Sequence, residues 1–214
     1  MERIICLLIG YVFGLFQTGY IVGKINHIDI RKQGSGNAGS TNALRVLGWK
    51  AGGMTFAGDV IKCLLAVLTV RIIYRESDVV PLLAMYAGMG ATLGHNFPFY
   101  LKFKGGKGIA VMAGLILATG VVMVPIPLAA FLIAVIFTRY ISLGSLLAST
   151  MFFMEVVMYG HMGGFGMTGR AQAELYILVF LLMVLAWVRH KANIERLLAG
   201  TENRFGSKKK CETL

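Results

Sequence analysis

Acidic residues are scarce in this sequence, and charged residues of either sign make up only 14% of its 214 positions. Ten Asp and Glu stand against 21 Lys and Arg, so the formal net charge is +11. So little charge with 57% hydrophobic residues excludes an ordinary soluble domain and a disordered chain. The positive charge suits an anionic membrane surface or an anionic substrate. Nucleic acid is the third partner of such a charge, but the hydrophobicity argues against it, and we expect none.

Cysteine is also scarce, with an odd number of three at Cys6, Cys63 and Cys211 and no metal-binding spacing. The first two lie in apolar runs, where a thiol behaves as a small hydrophobic group, and we expect no disulfide. The four histidines form no close pair and lack nearby acidic ligands. The sequence therefore predicts no metal site and no other cofactor.

Long apolar runs dominate what is present, and a membrane helix needs about 20 mainly apolar residues. No small-residue cleavage site follows the first run, which we interpret as a span and not as a removable signal. The fourth run is too long for one span, and Gly120, Pro125 and Pro127 interrupt it. The predicted runs are Ile4–Gly23, Gly52–Tyr74, Val79–Phe99, Ile109–Phe137, Leu143–Tyr159 and Leu175–Val188.

The distribution of Lys and Arg decides between six and seven spans. If the fourth run forms two helices, sixteen basic residues share one side of the membrane and four lie on the other. If it forms one helix, the two sides hold nine and eleven. The positive-inside rule favours seven spans, with the N-terminus outside and the C-terminus in the cytoplasm. We predict one all-α integral membrane domain over residues 1–214, with short amphipathic segments on its cytoplasmic face.

The loop after the first span combines glycines, hydroxyl and amide side chains between Arg31 and Arg45. Glycines let backbone N–H groups approach an anion closely, and Arg45 can bind a phosphate with two parallel hydrogen bonds. This pattern is typical of a phosphate site, although a flexible polar turn has a similar composition.

The loop over residues 94–108 has the same character, with paired glycines, three lysines and His95 where the third span meets the surface. It does not have the spacing of a P-loop. Two such loops indicate two phosphates or one doubly charged ligand. Lys102 and Lys104 suit anionic lipid headgroups equally well, whereas Lys107, between glycines, is the better ligand candidate.

Two further polar segments lie on the same predicted face. Arg139 and Ser142 fall at the end of a span, where an arginine is often only a topology anchor. Residues 189–202 have a helical spacing, which predicts an interfacial helix with Arg189, His190 and Asn193 crowded at its start. A basic cap on an amphipathic helix is the alternative interpretation.

Asp59 and Lys62 lie three residues apart within a predicted span, where an isolated charge is costly. We expect them to form an ion pair, and to shape a polar pocket beneath the first loop. Glu155 and His161 lie toward the outer side, and the sequence offers no partner for Glu155.

Together these segments resemble the bacterial acyl-phosphate-dependent glycerol-3-phosphate acyltransferases, small seven-span inner-membrane enzymes of phospholipid synthesis. The family's first motif is similar to residues 34–45, its second to residues 94–110, and its third includes Ser142. Asp59 with Lys62, and the terminal block of Arg189, His190, Asn193 and Glu202, also follow its pattern. Ser40 stands where the family has alanine.

The resemblance implies that the 1-hydroxyl of glycerol-3-phosphate attacks an acyl-phosphate, releasing inorganic phosphate and leaving lysophosphatidic acid. The implied catalytic residues are Ser35, Arg45, His95, Lys107 and His190. The implied substrate contacts are Gly34, Gly36, Asn37, Thr41, Asn42, Lys104, Ser142, Arg189 and Asn193, with Asp59 and Lys62 shaping the pocket. The partners are these two substrates and membrane lipid, and the location is the bacterial inner membrane with a cytoplasmic active site.

The proton acceptor stays open among His95, His190 and a substrate phosphate. A histidine-plus-acid mechanism is disfavoured, because Tyr100 occupies the place of the acid five residues after His95. An organic-phosphate transporter is the alternative function. It should carry polar residues through the whole bilayer depth and an internal repeat, whereas polarity here concentrates on one face. A non-catalytic scaffold leaves the glycine-rich loops without a purpose.

Overall fold

The computed structural model describes residues 1–206, which form ten α-helices, three short 3-10 turns and no strand. The helices are α1 Glu2–Gly14, α2 Thr18–Ile25, α3 Ser40–Leu47, α4 Trp49–Ile73, α5 Val80–Asn96, α6 Ile109–Thr119, α7 Pro125–Thr138, α8 Ile141–His161, α9 Gly169–Arg189 and α10 Lys191–Leu198. The 3-10 turns are Ile30–Lys32, Phe99–Leu101 and Val121–Met123. Cys211 and the three lysines of residues 208–210 lie outside the described residues. Of these, only the lysines entered the topology prediction.

Four helical stretches are long and apolar enough to cross a membrane. They are Glu2–Ile25, Val121–Thr138, Ile141–His161 and Gly169–Arg189. α6 is apolar but shorter, and α4 is long but carries Asp59 and Lys62 in its middle. The described residues thus form an all-helical protein with at least this many candidate membrane spans.

The predicted break in the fourth apolar run is confirmed. α6 ends at Thr119, the turn Val121–Met123 follows, and α7 begins with Pro125. Proline suits the first position of a helix because its missing N–H has no intrahelical partner there. The run therefore forms two helices.

The first predicted span, Ile4–Gly23, corresponds to the candidate span Glu2–Ile25, but its helix is interrupted between α1 and α2 at residues 15–17. The break frees backbone carbonyls that other segments use: Tyr100 donates to the Leu15 carbonyl at 2.6 Å, and Lys62 donates to the Phe16 carbonyl at 2.8 Å. The buried Gln17 amide donates to the carbonyls of Gly14, Gly94 and His95. Apolar composition continues through the break, so hydropathy alone does not reveal it.

α1 and α5 pack with their backbones in close contact. A Cβ atom at Gly10 or Gly14 would meet the backbone of Ala87 or Ala91, and one at Gly94 would meet the Tyr11 carbonyl. Small residues allow such packing between helices in a membrane. The packing places the C-terminal end of α5 beside the break between α1 and α2, where the polar site begins.

Candidate active site

The innermost part of the site is a buried cluster of Asp59, Lys62 and His95. The Lys62 ammonium lies 2.7 Å from Asp59 Oδ1 and 2.8 Å from His95 Nδ1. Its third donor binds the Phe16 carbonyl, and Thr18 adds a hydrogen bond to Asp59. The predicted ion pair is confirmed. Since all three protons of the ammonium are used, the buried charge is paired and hydrogen-bonded, as burial requires.

His95 lies in the last turn of α5, at the predicted end of the third span, and its side chain is only 3% exposed. Lys62 is the hydrogen-bond partner of Nδ1 on one side of the buried imidazole, and the other side of the ring faces Gly106. His95 connects the buried ion pair to the glycine-rich loop above it. Its proposed role as the proton acceptor stays a prediction, and this geometry favours a positioning role.

The second loop folds back onto the end of α5. The N–H groups of Gly105 and Gly106 donate to the carbonyls of Asn96 and His95. Arg189 donates to the Gly106 carbonyl at 2.9 Å and its guanidinium stacks over Phe97 at 5.2 Å. Arg189 therefore fixes the loop that carries Lys107, and its predicted contact with substrate stays untested.

Lys107 is the point where the second loop meets the C-terminal segment. Its ammonium donates to the side-chain oxygen of Asn193. The Asn193 amide nitrogen donates to Glu202 at 2.9 Å, and Arg196 donates to the other carboxylate oxygen at 2.9 Å. The Asn193 amide thus uses both ends to connect Lys107 to a buried carboxylate.

The charges around Lys107 show which predicted residues come together. Burial lowers the pKa of Lys107 to about 8, the Glu202 carboxylate opposes that change, and the positive charges of Arg196, Arg189 and Arg45 add to it. Arg45 reaches this position from α3, while Arg189 and Arg196 come from the far end of the sequence. Within residues 1–206, Arg45 makes no hydrogen bond or ion pair, so its guanidinium can bind an anion.

His190 lies between α9 and α10 and is buried. Its Nδ1 donates to the Ala186 carbonyl at 2.7 Å, a partner that can only accept. Burial first, and the Lys107 charge second, lower the pKa of His190 to about 4. The ring is therefore neutral at pH 7 and presents Nε2 as a hydrogen-bond acceptor.

Asn42 organises the first loop from inside. Its Oδ1 accepts from the Ser35 N–H at 2.9 Å, and its Nδ2 lies 2.9–3.0 Å from the carbonyls of Ile30, Gln33 and Asn37. Gly34 has a positive φ of 60°, and a Cβ there would collide with this amide. These contacts favour a positioning role for Asn42, and its predicted contact with substrate stays a prediction.

The remaining predicted residues lie around these groups. Ser142 is buried in the first turn of α8 with its hydroxyl unpartnered among the described atoms, and α10 packs against the same helix. The exposed or half-buried members of the set are Ser35, Gly36, Asn37, Thr41 and Lys104. Lys104 is exposed, and its contact with substrate stays a prediction beside that with a lipid headgroup.

Sequence reasoning missed Gln17 and Thr18, which connect the break between α1 and α2 to Gly94, His95 and Asp59. The signal was a polar pair inside an apolar run. It also missed that Arg196 and Glu202 form an ion pair at 2.9 Å. Their spacing across the end of α10 has no simple periodic signature.

The arrangement is a cationic and amide-rich site at one end of a helical bundle, suited to a phosphate-bearing ligand next to an apolar interior. Among residues 1–206 no three His, Cys, Asp or Glu side chains are grouped as a metal site would need. Cys6 and Cys63 are buried free thiols.

These features define an all-helical protein with candidate membrane spans and a cationic, amide-rich site at one end. A family model described as glycerol-3-phosphate acyltransferase matches residues 4–200, and the chain belongs to this family. It is 44% identical over 208 residues to the glycerol-3-phosphate acyltransferase of Clostridioides difficile, covering 96% of this chain and 97% of the relative. It is 38% identical over 209 residues to that of Thermoanaerobacter pseudethanolicus, covering 97% and 98%.

The fold is similar to the crystal structures of PlsY (YgiH), an integral membrane glycerol 3-phosphate acyltransferase. The glycerol 3-phosphate form has a TM-score of 0.84 and the lysophosphatidic acid form 0.81, each at 28% identity and covering 96% of both chains. The resemblance seen in the sequence is confirmed. The chain is an integral membrane protein of a family that acylates glycerol-3-phosphate, which implies a part in phospholipid synthesis.

Proposed function

We propose that this protein transfers an acyl group from an acyl-phosphate to the 1-hydroxyl of glycerol-3-phosphate, giving lysophosphatidic acid and inorganic phosphate. The observation that carries the proposal is the convergence of Arg45 and the Arg189–Asn193 block, which are far apart in sequence, around the half-buried Lys107. PlsY, whose fold is similar, has been solved in a lysophosphatidic acid form, which supports this product.

The proposal includes one domain with seven membrane crossings. The crossings are α1 with α2, then α4, α5, α6, α7, α8 and α9. The positive-inside rule supports an orientation in the bacterial inner membrane in which the ends that carry Lys107 and His190 face the cytoplasm and the N-terminus lies outside. Glycerol-3-phosphate then arrives from the cytoplasm, while the acyl chain of the donor stays among apolar side chains.

The phosphate groups bind to the cationic side chains. Arg45 binds one phosphate with two parallel hydrogen bonds. Lys107 provides a positive charge, and its partial burial strengthens the attraction between that charge and a phosphate. Ser35 and the Gly34–Gly36 backbone add donors at the rim. The site has more cationic side chains than one phosphate needs. A second phosphate, from the other substrate, accounts for the rest.

The reaction needs no group beyond the chain and its two substrates. The glycerol-3-phosphate hydroxyl oxygen forms a bond to the acyl carbonyl carbon, and the bond from that carbon to the phosphate oxygen breaks. Negative charge grows first on the carbonyl oxygen and then on the leaving phosphate, where fixed donors such as Lys107 stabilise it.

The hydroxyl proton moves to a phosphate oxygen, with His190 orienting the hydroxyl. Neutral His190 offers Nε2 as an acceptor, but a pKa of about 4 makes it a weak base. A phosphate oxygen with a pKa of about 6 is the stronger acceptor of the two. His95 is less suitable, since Lys62 occupies its Nδ1.

The proposal is tested in sealed vesicles with labelled glycerol-3-phosphate and a long-chain acyl-phosphate. We expect label in lysophosphatidic acid, and a loss on the order of 100-fold in Lys107→Ala. Lys102→Ala is the matched control, because Lys102 is exposed on the same loop and bonds no side chain among the described residues. Label that accumulates inside the vesicles as free glycerol-3-phosphate would instead establish a transporter.

A further inference from the structure

A second cavity lies at the opposite end of the bundle from the candidate active site. It is formed by the last turns of α4, α6 and α8 and the first turns of α5, and has a volume of about 150 Å³. The active site uses the other ends of α5, α6 and α8. The apolar part of its wall is formed by the buried side chains of Val67, Ala84, Met85 and Leu115 and by the half-buried Ala118.

The cavity carries two hydrogen-bond donors without partners. Arg71, which is exposed, and Tyr159, which is half-buried, both line it, and neither side chain makes a hydrogen bond or ion pair within the described part of the chain. No acidic side chain lines the cavity. The Thr119 hydroxyl also lines it, but that group already donates to the Leu115 carbonyl.

Two other arginines toward this end of the bundle have carboxylate partners, whereas Arg170 has none among the described residues but does not line the cavity. Arg3 binds Glu174 through two hydrogen bonds, and Arg75 binds Glu76 at 3.0 Å. Arg71 is therefore an arginine next to an enclosed apolar space and without a carboxylate. An anionic group in the cavity would supply the missing charge.

We propose that this cavity binds the phosphate of an anionic phospholipid, with Arg71 and Tyr159 as donors. The guanidinium matches phosphate geometry, and basic pockets between membrane helices bind lipid headgroups. A cavity of this volume takes a group of about the size of benzene, which fits a phosphate with part of its glycerol and excludes an acyl chain.

The surroundings of the cavity favour a lipid over a soluble phosphate. Ile72, Val121 and Val122 adjoin residues of the cavity in sequence and are largely exposed. Exposed apolar side chains beside a cationic pocket give acyl chains a surface to lie on. The loop after α8 covers the cavity, where Phe165 packs edge-to-face on Tyr159 at 4.9 Å.

This site is independent of the proposed reaction. Only the name of the leaflet, the outer one, depends on the proposed orientation. We expect Arg71→Gln to keep its acyl-transfer rate, because Arg71 lies outside the active site. If the unmodified protein showed no acyl transfer, that result would count against the proposed function and leave the proposal of the lipid site unaffected.

The test measures the melting temperature of the purified protein in neutral detergent while phosphatidylglycerol is added. We expect phosphatidylglycerol to raise it in the unmodified protein and in the control Arg75→Gln. Arg71→Gln should need about tenfold more lipid for half of the effect, as expected for loss of one charged hydrogen bond. Tyr159→Phe keeps the ring packing and should weaken the response in the same direction.

Three results would overturn the proposal. One is an equal response to phosphatidylglycerol in Arg71→Gln and the unmodified protein. Another is an equal response to phosphatidylcholine, since the charge of the headgroup would then not matter. The third is an Arg71-dependent response to inorganic phosphate as large as that to the lipid, which would identify a soluble anion as the ligand. Inorganic phosphate acting through the active site should stabilise both forms equally.

Discussion

Lys107 joins the second glycine-rich loop to the C-terminal segment, and its proton is held less tightly than in water. Burial and the neighbouring positive charges lower its pKa to about 8. The charged form is present below that pH and is lost as the pH rises through it.

We therefore expect kcat/KM for glycerol-3-phosphate to fall above about pH 8, because the neutral amine binds phosphate poorly. Lys107→Arg keeps its charge at every accessible pH and should move this fall to higher pH, even if its rate is lower. Lys102→Arg is the control and should keep the original profile. An unchanged profile in Lys107→Arg would assign the ionisation to another group.

Glu202 acts on Lys107 through Asn193, and its negative charge opposes the lowering of the Lys107 pKa. In Glu202→Gln we expect the alkaline fall in kcat/KM to begin at a lower pH. Glu195→Gln removes an exposed carboxylate from the same segment and should leave the profile unchanged. A profile in Glu202→Gln that is scaled down but not displaced would limit Glu202 to a structural role.

Among the structural elements, the second glycine-rich loop holds its position because its backbone packs closely against the end of α5. A Cβ at residue 105 would overlap the His95 carbonyl, whereas one at Gly53 of α4 would meet only open space.

Gly105→Ala should therefore displace Lys107 and raise KM for glycerol-3-phosphate by at least about tenfold, a cost within the range of overpacking. Gly53→Ala should leave KM unchanged and raise helix stability slightly. Both variants are compared by initial rates at several glycerol-3-phosphate concentrations. Equal KM values for the two would show that the loop contact is not needed.

Some breaks between these helices could be predicted from the sequence, and others could not. The length of the apolar run, with Gly120 and Pro125 inside it, was enough to predict the break between α6 and α7, because glycine and proline change the backbone locally. The break between α1 and α2 depends on carbonyls satisfied by Lys62 and Tyr100, which are distant in sequence. The burial of His95 likewise depends on packing that no local pattern encodes.

The site followed the same division. The family resemblance implied Arg45, Lys107, His190 and Asn193 as one group, and the contacts and charges around Lys107 link the three segments that carry them. The sequence could not separate a residue that contacts substrate from one that holds a loop. Asn42 and Arg189 have the chemistry of ligands, yet loop carbonyls occupy the Asn42 amide nitrogen and one guanidinium nitrogen of Arg189.

For the whole molecule, the proposed topology predicts which ends are accessible from each side of the membrane. In a background with Cys211 replaced by Ser, Glu76→Cys should react with a membrane-impermeant thiol reagent on intact cells. Lys191→Cys should react only after the membrane is made permeable. Both positions are exposed, so burial should not limit labelling. The reverse pattern would invert the orientation.

The most direct measurement follows phosphate and lipid together, using purified protein, a long-chain acyl-phosphate and glycerol-3-phosphate. We expect one inorganic phosphate to be released for each lysophosphatidic acid formed. Both products should depend on glycerol-3-phosphate, and both should be lost in Lys107→Ala. Phosphate release that does not depend on glycerol-3-phosphate, or no lysophosphatidic acid from folded protein, would contradict the proposed function.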